Sequence, residues 1–312
     1  MVQIAVLLLA AALFFIIVMV IDNHRFVVRR YNVRSRFVRS KIRIVFIADL
    51  HENGYGDGND KLAREIAAQD PDLILVGGDL IVSGRVFDLY KKDPQRAEST
   101  RAGDDCPEWM KNSFALMQKL TRICPVIFVR GNHEIRLDYY EELREYSALF
   151  REKMEEAGVK FIENGHTDLA PGIRLQGLEL PMDYYGKFKK TVLTVGELED
   201  LIGRPDPSYY NILLTHTPVH FEQYAEWGAD LCLCGHVHGG LMRLPVIGGV
   251  VGTRPSLFPK YSGGQYFYTP EAGGGIKSTL ILTCGLGMHT LPIRIFNPGE
   301  ISVVEIGPLE ES

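Results

Sequence analysis

The sequence predicts an α/β domain of two packed, mixed β-sheets with helices outside, carried behind one membrane-spanning helix. Three observations lead there. Apolar runs of strand length alternate with helical patterns through the first half of the 312 residues. The second half is richer in such runs. Residues 4–21 form one unbroken apolar stretch.

The apolar stretch comes first in the chain. At ~1.5 Å per residue it reaches roughly 27 Å, close to the thickness of a bilayer core. A cleaved signal peptide would need a basic segment before the run and small residues after it. Neither is present, so residues 1–22 read as an uncleaved anchor. Arg25, Arg29, Arg30, Arg34, Arg36, Arg39, Lys41 and Arg43 follow, opposed before Asp49 only by Asp22. The excess of positive charge places the following body on the cytoplasmic side of a cell membrane crossed once. Residues 23–41 then read as a basic linker lying on anionic headgroups, which makes membrane lipids the expected partner.

The body, residues 42–308, has the composition of a folded domain. The whole chain is 46% hydrophobic and 23% charged, which excludes global disorder. A net charge of −5 gives no reason to expect a nucleic-acid partner, and nothing implies an obligate protein partner. The five cysteines, Cys106, Cys124, Cys232, Cys234 and Cys284, are odd in number and show no disulfide spacing. They read as free thiols in a reducing compartment.

Residues 42–48 form a buried strand rich in β-branched side chains, and 60–69 a helix with Leu62, Ile66 and Ala67 on one face. Leu73–Val76 and 126–129 are further strands, each ended by glycine. Residues 139–157 form a charged amphipathic helix closed by Gly158. Residues 212–214 and Leu231–Cys234 continue the strands, with 280–282, 292–296 and 301–305 as late ones. The polar segment 82–109 has no clear period and is long for a connection, so it reads as an insertion and a candidate lid.

Five short motifs end successive strands. They are Asp49-Leu-His51, Gly78-Asp79, Gly131-Asn132-His133-Glu134, Thr215-His216 and Gly235-His236-Val-His238-Gly239. Loops beyond strand ends are where α/β folds gather functional side chains. Each motif alone is weak, but together they hold five of the nine histidines. Carboxylates, one amide and imidazoles suit a pair of divalent cations, with Mn²⁺ favoured and Fe, Zn²⁺ or Mg²⁺ compatible. The absence of thiolate from the motifs argues against a structural zinc site. Glycines before Asp79, Asn132 and His236 read as sharp turns, and His-x-His as two rings on one side of an extended segment. No phosphate-binding Gly-x-x-x-x-Gly-Lys-Ser/Thr loop and no Gly-x-Ser-x-Gly elbow occurs.

The motif series resembles the calcineurin-like metallophosphoesterase superfamily. Residues 239–249, 258–263, 285–287 and 291–294, with the anchor and basic flank, are similar to its single-pass membrane-anchored bacterial branch. That branch includes UDP-2,3-diacylglucosamine pyrophosphatases. The resemblance implies a four-layer α-β-β-α sandwich. It implies that Asp49, His51 and His238 bind a first metal, that Asn132, His216 and His236 bind a second, and that Asp79 bridges. It makes His133 an outer-sphere acid acting with Asn132 and Asp79 in catalysis. Two departures, Leu241 for a frequent Gln and Glu134 for a frequent Asp, are not metal ligands and bear on substrate detail rather than catalysis.

The implied reaction is hydrolysis of a phosphodiester or pyrophosphate by water that the two cations acidify. An anchored site favours a lipid-like or nucleotide-sugar phosphate. Arg254, Lys260 and Tyr261, in the loop after the motifs, and His289 in the 285–289 turn are candidate substrate contacts.

Overall fold

Alternation along the strands decides the layering. The computed structural model describes all residues except 94–105, 187–190, 245, 253–255, 272, 274, 289–290 and 310–312. In chain order its first half contains helix α1 (Val2–Asn23), strands β1 (Phe26–Ser35) and β2 (Ile42–Ile47), α2 (Asp60–Ala67), β3 (Leu73–Val76), α3 (Ser83–Lys92), α4 (Lys111–Leu120), β4 (Val126–Phe128), α5 (Asn132–Tyr139) and α6 (Arg144–Glu156). The second half runs β5 (Lys160–Phe161), β6 (Gly165–Ala170), β7 (Ile173–Leu178), α7 (Val195–Ile202), β8 (Tyr210–Thr215), α8 (Phe221–Trp227), β9 (Leu231–Cys234), β10 (Met242–Leu244), β11 (Gly248–Val251), β12 (Gly264–Tyr268), β13 (Ser278–Leu282) and β14 (Gly299–Pro308).

Two six-stranded mixed sheets result, ordered β1-β14-β2-β3-β4-β5 and β12-β13-β9-β8-β7-β6. Strands β2 to β5 run parallel, as do β7, β8, β9 and β13. On β2, Ile44 and Phe46 pack into the core shared with Ile212, Leu214 and Leu233 of the other sheet. Their neighbours Val45 and Ile47 turn the other way, onto Leu62 and Ile66 of α2 and Leu116 of α4. On β8, Leu213 faces outward onto Leu198 of α7 and Tyr224 of α8. Successive side chains of a strand alternate in direction, so these strands, covered on both faces, hold four layers together.

The basic segment 23–41 is not a free linker. Most of it is β1, which pairs in parallel with β14 from Phe26 opposite Gly299 to Ser35 opposite Pro308. Its charges are largely engaged. Arg25 pairs with Asp22, Arg29 with Glu300 and Lys41 with Glu305, and Arg43 with Glu305 and Asp70. Arg30 donates to Gln69. Less positive charge is left for a lipid surface than the sequence implies.

The segment 82–109 is not wholly irregular. Ser83–Lys92 is helix α3, with Val86 buried and Phe87, Leu89 and Tyr90 packed on the core. Residues 94–105, the rest of the candidate lid, lie outside the described residues. The helix expected over 139–157 starts only at Arg144, as α6, because Tyr140 is extended (φ −95°, ψ 120°) after the end of α5 and a short turn at 141–143 follows it. Residues 292–296 form only a single bridge, Met242 to Ile295, and no strand.

Helix α1 is long and apolar enough to cross a membrane, with a mean hydropathy of 3.4 in its most apolar window and none of that window buried. Its C-terminal end is fixed to the body. Asn297 N donates to Asp22 Oδ2 (2.9 Å), and Asn23 Nδ2 donates to the Pro292 carbonyl (2.7 Å).

Candidate metal centre

The parallel strands β2, β3, β4, β8 and β9 all end at the same edge of the sandwich. Asp49 and His51 follow β2, Asp79 follows β3, Asn132 opens α5 just after β4, His216 follows β8, and His236 and His238 follow β9. The two sheets are tied together at this edge. His216 Nδ1 meets the Gly77 carbonyl at 2.7 Å, and His236 N donates to both Asp49 oxygens at 3.0 and 2.9 Å.

Six of the seven expected ligands converge. Asp49, His51 and His238 bring ligand atoms within 4.8 Å of one another, and so do Asp79, His216 and His236. Asp79 Oδ2 lies 3.0 Å from His216 Nε2 and 3.8 Å from His51 Nε2, between the two groups. His51 and His238 bring their Nε2 atoms to 3.4 Å, and His236 Nδ1 lies 3.1 Å from His216 Nε2.

Tautomers decide what the rings offer. His51, His216 and His238 each place Nδ1 on a backbone carbonyl, of Ile81, Gly77 and Gly287. A carbonyl only accepts, so each Nδ1 carries a proton, and each ring in its neutral form turns a lone pair on Nε2 inward. This is the arrangement in which outer partners orient metal-binding histidines. Asn132 Oδ1 is buried at the same edge with no hydrogen-bond partner. Converging lone pairs, two buried carboxylates and an orphaned amide oxygen fit a pair of divalent cations.

His133 differs. Its Nδ1 accepts from the backbone N–H of Ser83 at 3.0 Å, beside the Ser83 hydroxyl at 2.9 Å. Its proton is therefore on Nε2, which points at Asp79 Oδ2 from 4.0 Å. Distance alone would group His133 with His51 and Asp79 as ligands, but its tautomer makes it a donor to the centre. Ser83, at the start of α3, was invisible to motif reading.

The backbone is strained here. Asp49 (φ 54°), His51 (48°), Asp79 (55°), His236 (74°) and His238 (50°) all lie in the left-handed region. Such conformations cost ~1–3 kcal/mol each and persist where the surroundings fix them. They also correct two expectations. His236 and His238 are not on an extended segment: His236 is the centre of a tight turn closed by Val237 N to the Gly235 carbonyl (2.9 Å) and His238 follows it, so that one ring reaches each ligand group. Of the glycines, Gly78 does turn (φ 89°), whereas Gly131 serves close approach. A Cβ on Gly131 would stand 2.3 Å from Asp79 Oδ1.

Glu134 holds the Asp79 turn. One carboxylate oxygen accepts from the N–H groups of Asp79 and Gly131, both at 2.9 Å. The other accepts from Leu80 (2.8 Å) and Ile81 (3.3 Å). Behind the opposite ligands, Asn297 Nδ2 donates to the carbonyls of His238 (2.7 Å) and Gly240 (2.8 Å). Asn297 is also the residue bound to Asp22, so two hydrogen bonds separate α1 from a metal-centre residue.

The candidate substrate residues fare unevenly. Lys260 and Tyr261 both engage Glu222 at the start of α8, and none of the metal-centre residues. Arg254 and His289 lie outside the described residues.

Without cations the centre is electrostatically frustrated. Burial pushes the Asp49 carboxyl up to about 7, against the pull of His216, with Asp79 adding repulsion. Burial would also raise Asp79, but His216 and His133 outweigh it and hold Asp79 well below the carboxylate range. Burial opposes charge on His216, yet the Asp79 and Asp49 carboxylates raise it to about 9. Burial lifts Glu134 and Glu52 to about 7. Groups raised on folding contribute stability that is complete below their unfolded values and lost as pH rises through their folded ones. For the carboxyls that loss ends near pH 7, and for His216 near pH 9. Asp79 acts oppositely, but only below pH 4. Chelator-stripped protein is therefore expected to unfold at steadily lower temperature from pH 5 to 9. Divalent cation should restore the midpoint most at the alkaline end. A midpoint that rises over this range would contradict the assignment.

The family model described as calcineurin-like phosphoesterase matches residues 42–240. The chain belongs to that family. Similar proteins extend the match. An uncharacterized metallophosphoesterase of Campylobacter jejuni is 26% identical over 282 residues, covering 89% of this chain and 63% of the relative. The uncharacterized protein YpbG of Bacillus subtilis is 26% identical over 209 residues, 66% of this chain and 65% of its own. Phosphodiesterase YaeI of Escherichia coli is 28% identical over 210 residues, 66% of this chain and 64% of its own. The chain thus spans somewhat under two thirds of the length of each.

Proposed function

We propose that the protein is a membrane-anchored phosphoesterase that uses two divalent cations, Mn²⁺ favoured, to hydrolyse a phosphodiester or pyrophosphate bond. The carrying observation is the convergence of His51, His216 and His238, each held through Nδ1 with Nε2 turned inward, on Asp49 and Asp79, with the unpartnered Asn132 oxygen buried at the same edge. In this reading Asp49, His51 and His238 hold one cation, Asn132, His216 and His236 the other, and Asp79 serves both. The bound cations would supply Lewis acidity and a water acidified towards neutrality.

The chain's own groups do the rest. His133, fixed by Ser83 with its proton on Nε2, donates to a phosphoryl or leaving-group oxygen at the centre's edge. Because Nδ1 already accepts from a backbone amide, the ring acts as a neutral donor. The Glu134 clamp keeps Asp79 aimed, and Asn297 does the same for the His238 turn.

An amphiphilic substrate is supported by the short path from α1 through Asp22 and Asn297 to His238. With α1 as anchor and the body cytoplasmic, the centre would work at the membrane surface. UDP-2,3-diacylglucosamine is the substrate this reading favours. A broader phosphodiesterase acting on phospholipids or simple esters is the second reading, supported by the name of the Escherichia coli relative. Full-length protein in detergent micelles, supplied with Mn²⁺, should cleave UDP-2,3-diacylglucosamine with a higher kcat/KM than phosphatidylglycerol, and leave a phosphopeptide intact. Preference for the phospholipid would select the second reading, and preference for the phosphopeptide would overturn both.

A further inference from the structure

The body carries an exposed apolar rim beside α1 that neither the metal centre nor the core uses. The β10–β11 hairpin presents Val246, fully exposed, and Ile247, 59% exposed. Leu257 and Phe258 (71% and 61% exposed) lie against β11, bridged through Val251 to Leu257 and through Phe258 N to the Val250 carbonyl. On the other side Ile295 exchanges backbone hydrogen bonds with Leu241 and Arg243, which sets Phe296 against β10. Val246, Ile247 and Phe296 also share a cavity of about 620 Å³ with Arg29, Arg243 and Lys260.

Two observations say what covers this rim. The first is its continuity with α1. The Phe296 ring lies 6.3 Å from that of Phe14 and 6.4 Å from that of Phe15. Phe15 precedes Asp22, the polar end of the apolar run, by two helical turns, about 10 Å along the axis. If α1 spans a bilayer, Phe296 stands beside its hydrocarbon-facing part, below the headgroups. The second is conformational. Val246 (φ 69°), Phe258 (φ 51°) and Phe296 (φ 54°) all hold left-handed backbone. Large or β-branched side chains avoid that region, and glycine would sit there without strain. Apolar side chains are kept where both solvation and backbone disfavour them.

We infer that Val246, Ile247, Leu257, Phe258 and Phe296 form a second membrane contact that dips into the leaflet beside α1. Arg243 lines the cavity behind it at headgroup level, where cations meet lipid phosphate, beside Arg29 and Lys260, each already paired with a glutamate. Arg243 donates to the carbonyls of Ser262 (2.9 Å) and Gly263 (3.2 Å), which ties this collar to the loop before β12. Two contacts, one helix and one rim, fix the body's tilt and hold the strand-end edge with the metal centre at the lipid surface. A single flexible tether would not. The inference rests on the reading of α1 as a membrane span.

Tryptophan reports depth cleanly here, because the two native tryptophans, Trp109 and Trp227, are both buried. Full-length Val246→Trp and Phe258→Trp proteins would be reconstituted in phosphatidylcholine vesicles whose lipids carry bromine on the upper acyl carbons. Lys160→Trp, on the far edge strand β5, is the control. The first two should lose at least half of the added emission relative to unbrominated vesicles, and the control almost none. Retention of the protein in the vesicle pellet at alkaline pH tests the anchor separately. Retained protein with unquenched emission from both variants overturns the rim alone. Blue-shifted but unquenched emission, the sign of a protein neighbour such as a second copy, also overturns it. Release of the protein into the supernatant overturns the anchor and the rim together.

Discussion

Asp79→Asn is expected to lower metal-dependent turnover by at least about 10³-fold while leaving the metal-free fold intact. The substitution is nearly isosteric, so the effect comes from which atom faces the centre. Asp79 Oδ1 accepts from His133 N at 2.8 Å, and Oδ2 faces His216, His51 and His133. In asparagine the amide oxygen must take the Oδ1 place, since an NH₂ group there would meet a donor. The NH₂ then replaces Oδ2 and points inward, where it can bond the His216 lone pair but cannot bind a cation. Outer-shell changes in metal sites cost ~10–100-fold, and the loss of a shared ligand should exceed that. The checks are metal content, thermal unfolding in chelator and hydrolysis of bis-p-nitrophenyl phosphate. Turnover within tenfold of the parent would remove Asp79 from the centre.

The second large effect falls on stability. Glu134→Ala strips the acceptor from four buried N–H groups, those of Asp79, Leu80, Ile81 and Gly131. An unsatisfied buried donor costs ~1–3 kcal/mol. With water entering the vacated space, the expected loss is about 3–5 kcal/mol, a fall of roughly 5–10 °C in midpoint. Glu134→Gln should recover little of this. Both carboxylate oxygens already accept two N–H groups each, so an amide would turn its NH₂ on a pair of donors. A fully stable Glu134→Gln protein would show that the clamp is not needed to hold the turn.

The sequence was informative where burial is two-sided. Residues 42–48 and Leu231–Cys234 read as strands because helices cover one face and the other sheet covers the second, so the runs are continuously apolar. The metal-centre residues were legible because histidine, aspartate and asparagine at strand ends have few other uses there. Strand β1 was not legible. It is an edge strand with one face partly open, so arginines interrupt its pattern, and their partners Glu300 and Gln69 are distant in the chain. Helix α3 was hidden for a related reason: only Val86 and Ser83 are buried in it. Left-handed backbone at Asp49, His51 and Asp79 depends on contacts between loops, which no local pattern records. The same holds for Asn297, which becomes visible only once α1 and the His238 turn meet on it.

Two cooperating cations are the centre of the proposed chemistry. The decisive measurement is hydrolysis of bis-p-nitrophenyl phosphate by chelator-stripped full-length protein, titrated with Mn²⁺ while bound metal is counted. The account predicts negligible rate without cation and saturation when two are bound per chain. Undiminished hydrolysis by the stripped protein, or full rate with one cation bound, would contradict it.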